Sequence, residues 1–396
     1  MPFTFKKNER GISGFTFPIM RNLIIPASRY LFSPQVSNPQ NMPLKGPCFI
    51  FGNHANYFDP FLINLEMTEE PTAGVMTRDQ FHKPLPRIFM DSIGIVPTSK
   101  YVPEPGIVRQ VMKMIERNRM IVIFPEGGRR WAGKPKPMIE TTLKLFWKMG
   151  IPVHPVQIHG SYLSWPRWAD NIRKSRLDIR WLSPLHASDF DTYESFAETC
   201  RAAINFDEYN PPATVQIQSC SKPAAGIERF LYRCPVTGET GAVYSPDGKQ
   251  VYSRTSDFVY TMNLQSRLVD AHDEPHSIVE MFEQISKMPM VKNGNGILLR
   301  NYGCELNEIN EVHELVQKGK GYAELSQEYL LLSLGAEKLR LPIENILYMS
   351  VEQNHKITFT TTSGIHQLVL HDASALQWKN YIQRLQNGDT PVRSLL

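Results

Sequence analysis

From Gly46 to about residue 210, short apolar runs alternate with stretches whose apolar side chains recur at helical spacing. Cys48–Phe51, Gly74–Thr77, Gly94–Val96, Met120–Phe124 and Pro152–Ile158 predict strands. Gly106–Asn118 predicts a helix with Val108, Val111, Met112 and Ile115 on one face. Further helices are expected over Ile139–Met149 and from Asp59 onward. This alternation predicts an α/β layer with a mostly parallel sheet, whose functional residues sit in loops at strand ends.

The texture changes beyond residue 210. Tyr209-Asn-Pro-Pro-Ala213 to Pro223-Ala-Ala-Gly226 is rich in Pro, Ser and Gln and reads as a linker over 211–226. Ala242–Ser245 and Gln250–Ser253 flank Pro246-Asp247-Gly248, a hairpin signal. Pro275–Met288 predicts a helix through Ile278, Met281, Phe282 and Ile285. From Tyr322 the pattern is strand-rich, with Ala323–Leu325, Tyr329–Leu334, Ile346–Val351, Lys356–Thr361 and Gln367–His371 ahead of a helical Ala373–Leu385. Residues 227–396 therefore read as a second, β-rich α+β domain. From about residue 320 its strands and closing helix resemble a PH/GRAM-type layout in pattern. Its expected role is regulatory or membrane-targeting.

Charge is unevenly spread over the 396 residues. Residues 1–212 carry 26 Lys and Arg against 19 Asp and Glu, while the rest of the chain is net acidic. A modestly basic front half suits an anionic substrate or membrane face, and falls short of what nucleic acid binding asks for. The five cysteines are scattered without a C-x-x-C pair, which fits neither a disulfide framework nor a zinc site and predicts a reducing, cytoplasmic compartment. Cys234-Pro235-x-x-Gly238 offers half of a metal knuckle and no second half. His154, His159 and His186 have no standard ligand spacing, so no metal is expected.

No apolar run approaches the roughly 18 residues of a spanning helix. At the N-terminus Lys6, Lys7 and Arg10 precede Phe15, Phe17, Ile19, Met20, Leu23, Ile24 and Ile25. Pro18, Arg21 and Pro26 interrupt this stretch, and no small-x-small site follows closely, which argues against a signal peptide. Residues 1–45 read as a membrane-interfacial segment, or as one that packs on the protein's own core.

Two short motifs carry the chemistry. Asn53-His54-Ala55-Asn56-Tyr57-Phe58-Asp59 sets a histidine and an aspartate five residues apart, directly after an apolar strand. A histidine near its ordinary pKa is a general base, and a carboxylate fixes its tautomer. Asp59-Pro60 also reads as a helix N-cap followed by proline. Phe124-Pro125-Glu126-Gly127-Gly128-Arg129-Arg130 ends the Met120–Phe124 strand. Its glycines permit close backbone approach and its arginines offer forked donors to a phosphate.

In this order and spacing the motifs resemble blocks I and III of the glycerophospholipid, or lysophosphatidic-acid type, acyltransferase family. The resemblance covers about residues 45–210. It implies a glycerolipid acyltransferase-like fold for 46–210, with His54 as base and Asp59 as its carboxylate. It assigns the acceptor headgroup to Glu126, Gly127 and Arg129, with Arg130 beside them. Ile151-Pro152-Val153-His154-Pro155-Val156 resembles the family's block IV, an apolar strand with an internal proline. Block II departs from the family pattern. In Gly94-Ile95-Val96-Pro97-Thr98-Ser99-Lys100, Lys100 stands where the family has arginine and Ser99 where it has an acid. Lys100 can hold a phosphate as a point charge without the bidentate fork.

The implied activity is transfer of a fatty acyl group from acyl-CoA or acyl carrier protein to the free hydroxyl of a lysophospholipid at a cytoplasmic membrane face. No metal or redox cofactor is implied. Trp131, Trp147, Trp165 and Trp168 are candidates for lining the acyl chain and equally for core. The competing class is a non-catalytic lipid-binding adaptor on an acyltransferase scaffold, against which His54, Asp59 and Glu126 count. A serine esterase is disfavoured because no G-x-S-x-G elbow occurs.

Overall fold

The computed structural model describes residues 6–67, 70–77, 81, 84–98, 105–310, 315–335, 337–352 and 354–393. The chain divides into two compact units, Met1–Arg167 with Asn171–Cys220, and Trp168–Asp170 with Ser221–Leu396.

The first unit runs α1 (Thr16–Ile19), α2 (Ile25–Phe32), β1 (Gln35–Ser37), β2 (Cys48–Gly52), α3 (Asp59–Ile63), β3 (Ala73–Thr77), α4 (Pro84–Ile93), β4 (Ile95–Thr98) and α5 (Pro105–Glu116). It continues with β5 (Met120–Ile123), α6 (Glu140–Met149), β6 (Val153–His159), α7 (Ser161–Ser164), β7 (Lys174–Arg176), β8 (Asp178–Trp181), α8 (Tyr193–Ala203) and β9 (Gln216–Ser219). Seven strands form one sheet in the order β1-β8-β6-β2-β5-β3-β4. Every pairing in it is parallel except β6 with β8. This is the expected α/β layer with a mostly parallel sheet.

The centre of the sheet is apolar on both sides, as a parallel sheet covered on both faces requires. Cys48, Ile50, Met120 and Val122 join one cluster, while Phe49, Phe51, Ile121 and Ile123 join the other. Consecutive residues thus alternate between two cores, so β2 and β5 read as unbroken apolar runs. Three of these strands, β2, β5 and β6, end side by side, and the loops that leave them carry the sequence motifs.

The N-terminal segment is helical from Thr16 to Phe32, with one π-type turn over Met20–Ile24 between α1 and α2. Pro18 and Pro26 lie within this stretch without ending it. Met20, Ile25 and Phe32 enter the core, whereas Phe15, Leu23 and Tyr30 are 62%, 66% and 71% exposed. No described helix is long and apolar enough to cross a membrane.

The stretch over 211–226 is not irregular throughout. β9 pairs antiparallel with β7, and Val215 and Ile217 are buried. The reason lies in the alternation of Val215 and Ile217 with polar neighbours, a strand pattern in an otherwise polar composition.

The second unit is β-rich. A five-stranded antiparallel meander runs from Val243 to Ser277. The predicted hairpin is present, and Asp247 Oδ1 accepts from the amides of Lys249 and Gln250 at 2.8 Å each. The predicted helix starts three residues late, at Ile278, because Pro275–Ser277 pairs as a strand and Ser277 caps the helix through the Glu280 amide. A seven-stranded antiparallel sheet follows, built from 297–309, 315–326, 329–334, 337–342, 348–352, 356–361 and 364–370. It ends in the helix Ala375–Gln386.

Candidate active site

Asn53 to Phe58 leave the end of β2 and turn into α3. The side chain of Asn53 closes this corner, accepting from the Ile158 amide at 2.8 Å and donating to the Ile158 carbonyl at 3.1 Å. His54 follows, and its Nδ1 lies 2.8 Å from Oδ2 of Asp59. The same carboxylate oxygen accepts from the amides of Ala55 at 2.7 Å and Asn56 at 2.9 Å. Oδ1 accepts from the hydroxyl of Ser161. Asp59 is fully buried and the His54 side chain is 19% exposed.

The N-cap expectation for Asp59 is corrected. Asp59 is the first helical residue and Pro60 the second. Its carboxylate turns back to the preceding loop, while the amides of Phe61 and Leu62 are satisfied by the carbonyl of Phe58. The charge therefore serves the histidine rather than the helix end. A buried carboxylate with donors on both oxygens is held in one orientation. It selects the tautomer with the proton on Nδ1 and the lone pair on Nε2. The imidazole stacks on Phe124, with centroids 4.3 Å apart and planes 19° from parallel.

The second motif is a tight turn at the end of β5. Gly127 has φ 65, a left-handed conformation that favours glycine, and its amide donates to the Phe124 carbonyl at 3.1 Å. Lys136 Nζ clamps the carbonyls of Glu126 and Gly128 at 3.0 and 3.1 Å. The Arg130 amide donates to the His54 carbonyl at 2.8 Å, so the two motifs are joined through backbone.

The turn sends the two arginines to different places. Arg129 lies over the ring of Tyr57, 3.6 Å from its centroid, where Tyr57 is itself exposed. Burial lowers the Arg129 guanidinium from its ordinary value, while Tyr57 and Asp59 pull it back up. Arg167 donates to the Arg129 carbonyl at 3.0 Å and stacks on Trp131. Arg130 is fully buried. Its Nε donates to both oxygens of Glu126 at 2.9 and 3.1 Å, and the remaining donors reach Glu208 at 3.3 Å and the Ile204 carbonyl at 2.8 Å.

The structure buries Glu126 and Arg130 and pairs them with one another, so Glu126 braces the turn. Glu126 is 1% exposed and Arg130 0%. The pairing occupies the Arg130 donors with Glu126, Glu208 and the Ile204 carbonyl. Gly127 shapes the turn, and Arg129 lies over Tyr57 within electrostatic reach of Asp59. Lys100 lies outside the described residues.

Sequence reasoning missed Glu208, Asn53, Asn56 and Ser161. Glu208 Oε1 accepts from Asn53 at 2.9 Å, and burial pushes its carboxyl up to about 8, against the pull of Arg130. Burial likewise raises Glu126, opposed by its bond to Arg130. Asn56 donates to the Ser161 carbonyl at 3.0 Å and to the Ser164 hydroxyl at 3.1 Å. No motif spacing points to Glu208 or Ser161, because both arrive by tertiary contact. His154 and His159 are strand residues: His154 Nδ1 contacts the Asn41 carbonyl at 2.9 Å, and burial brings His159 down to about 4.

A histidine–aspartate pair at the end of a parallel sheet, joined to a Glu-Gly turn, defines a domain of the acyltransferase class. Residues 33–159 match the family model described as Acyltransferase. It is similar to the 1-acyl-sn-glycerol-3-phosphate acyltransferase of Limnanthes alba, 23% identical over 141 residues, or 35% of this chain and 50% of that protein. The enzyme of the same name from Borreliella burgdorferi is 25% identical over 128 residues, or 32% and 51%. The chain spans about half the length of the curated relatives it matches. The crystal structure of the 1-acyl-sn-glycerophosphate (LPA) acyltransferase PlsC from Thermotoga maritima overlays with a TM-score of 0.41 at 19% identity, covering 46% of this chain and 76% of that one.

Proposed function

We propose that this protein is an O-acyltransferase that moves a fatty acyl group from a thioester, acyl-CoA or acyl carrier protein, to the free hydroxyl of a lysophospholipid such as lysophosphatidic acid. The observation that carries the reading is the 2.8 Å contact between His54 Nδ1 and the fully buried Asp59, within a domain that matches the acyltransferase family. The names of the relatives support the acceptor class.

In the proposed reaction Nε2 of His54 takes the proton of the acceptor hydroxyl as its oxygen bonds to the thioester carbonyl carbon. Asp59 stabilises the imidazolium that forms. Collapse of the tetrahedral intermediate breaks the carbon–sulfur bond, and the leaving thiolate takes the proton from His54. Arg129 holds the acceptor's phosphate as a planar fork beside the base. The nucleophile is the substrate's own hydroxyl, so no covalent acyl-enzyme is formed.

The protein would meet its lipid at a cytoplasmic membrane face as a peripheral protein. Exposed Phe15, Leu23 and Tyr30 on the N-terminal helical stretch would enter the headgroup–acyl boundary, with Arg21 at the headgroups. Purified protein incubated with labelled acyl-CoA, or acyl carrier protein, and a panel of lysophospholipids tests the reading. It predicts a new diacyl phospholipid by mass spectrometry, with lysophosphatidic acid among the acceptors. Absence of product with every donor and acceptor would overturn it.

A further inference from the structure

We infer that Ser161 is a positioning residue for the His54–Asp59 pair: its hydroxyl holds the Asp59 carboxylate turned toward the imidazole. The inference rests on the proposed role of His54 as base.

Asp59 is fully buried, and a carboxylate in such a place needs donors on both oxygens. Oδ2 has the amides of Ala55 and Asn56 and the His54 ring. Oδ1 has, among the described residues, the Ser161 hydroxyl. Without that donor one lone-pair side of the buried anion would be unsatisfied, and nothing would resist rotation of the carboxylate about its Cβ–Cγ bond except Oδ2's own contacts.

The serine is itself built into place. β6 ends at His159, and Gly160 turns the chain with φ 84. A Cβ there would stand 2.5 Å from Val215 Cγ1, so the turn needs glycine on two counts. Ser161 is fully buried, and its carbonyl accepts from Asn56 Nδ2 at 3.0 Å. The loop after β2 and the turn after β6 therefore grip each other twice, once through Asn56 and once through Asp59. The serine hydroxyl can only donate to an ionised carboxylate oxygen, so this contact favours the charged form.

Three charged or titratable groups face Asp59: His54 from its own loop, Arg129 from the turn after β5, and Glu208 from the segment after α8. None of these replaces a donor on Oδ1. Removing the hydroxyl raises the proton affinity of the His54–Asp59 pair, whichever atom holds the proton.

The test compares parent, Ser161→Ala, Ser164→Ala and His54→Ala, with lysophosphatidic acid and labelled acyl-CoA across pH. Ser161→Ala is expected to move the acid limb of kcat/KM up by about one pH unit, with the acceptor KM unchanged. Ser164→Ala removes a neighbouring buried hydroxyl that accepts from Asn56 and donates to the Ser161 carbonyl without touching Asp59, and leaves the limb in place. Ring titration of His54 by NMR on histidine-labelled protein should show the same displacement without turnover. An even loss of rate at all pH values, or an equal displacement in Ser164→Ala, overturns the inference. Full activity in His54→Ala would instead bring down the reading on which it rests.

Discussion

Arg130 is the residue whose loss separates scaffold from ligand contact most sharply. Its guanidinium sits fully buried between Glu126 and Glu208, with two bonds from Nε to Glu126 and one to the Ile204 carbonyl from the far nitrogen. Arg130→Ala leaves two buried carboxyls without their shared guanidinium, and Lys136, which bonds the Glu126 carbonyl, does not replace its donors. Breaking a buried pair from one side costs about 3–5 kcal/mol. The two carboxyls can take up protons, which holds the cost near the lower end. For a unit of this size each kcal/mol lowers Tm by roughly 2–4 °C, so a fall of roughly 6–20 °C is expected. Differential scanning fluorimetry reads this directly, and Arg130→Lys should recover part of it because one ammonium cannot serve all the acceptors at once. A variant that unfolds within about 2 °C of the parent and shows only a raised acceptor KM would refute the reasoning. It would return Arg130 to the headgroup.

Arg129→Ala should behave oppositely, with the parent's Tm and an acceptor KM raised about 10–100-fold for phosphate-bearing acceptors, the worth of one charge-assisted contact; a fall in kcat at constant KM would contradict this. Glu208→Gln should flatten the pH dependence of stability. The folded carboxyl titrates near 8 against 4.5 for the free group, so the folded state keeps a proton that the unfolded state releases, and stability falls as pH rises through that window. Urea unfolding at about pH 5 and about pH 8 should show the parent losing up to a few kcal/mol more than the variant, and equal slopes would count against the assignment. Leu23→Glu should weaken co-sedimentation with anionic phospholipid vesicles roughly tenfold or more, since a leucine leaving lipid forfeits about 1.5–3 kcal/mol, and an unchanged partition would remove the N-terminal helices from the membrane contact.

The sequence disclosed the centre of the first unit and hid its rim. β2 and β5 are covered on both faces, so their residues are apolar and short runs betray them. β1 and β7 are three residues long, too short for a period to register. In the second unit the strand over 297–309 escaped prediction although it has 13 residues. Its pairing with 315–326 shifts register at three points, and each shift breaks the alternation that marks a strand.

The site divides along the same physical line. His54 and Asp59 belong to one loop, so their spacing is visible in the chain. Glu208 and Ser161 meet the site through contacts spanning 155 and 102 residues, and no local pattern encodes them. Arg129 and Arg130 are adjacent and chemically identical in sequence. Only the left-handed turn at Gly127 and the acceptors waiting below decide which arginine is buried.

The most direct measurement is product formation by the parent and by His54→Ala, both verified as folded by thermal unfolding, with labelled acyl-CoA and lysophosphatidic acid. The parent should yield diacyl product, and the variant should lose at least about a hundredfold in kcat/KM, the usual worth of a general base. Product formed at equal rates by both would contradict the His54–Asp59 pair as the catalytic centre.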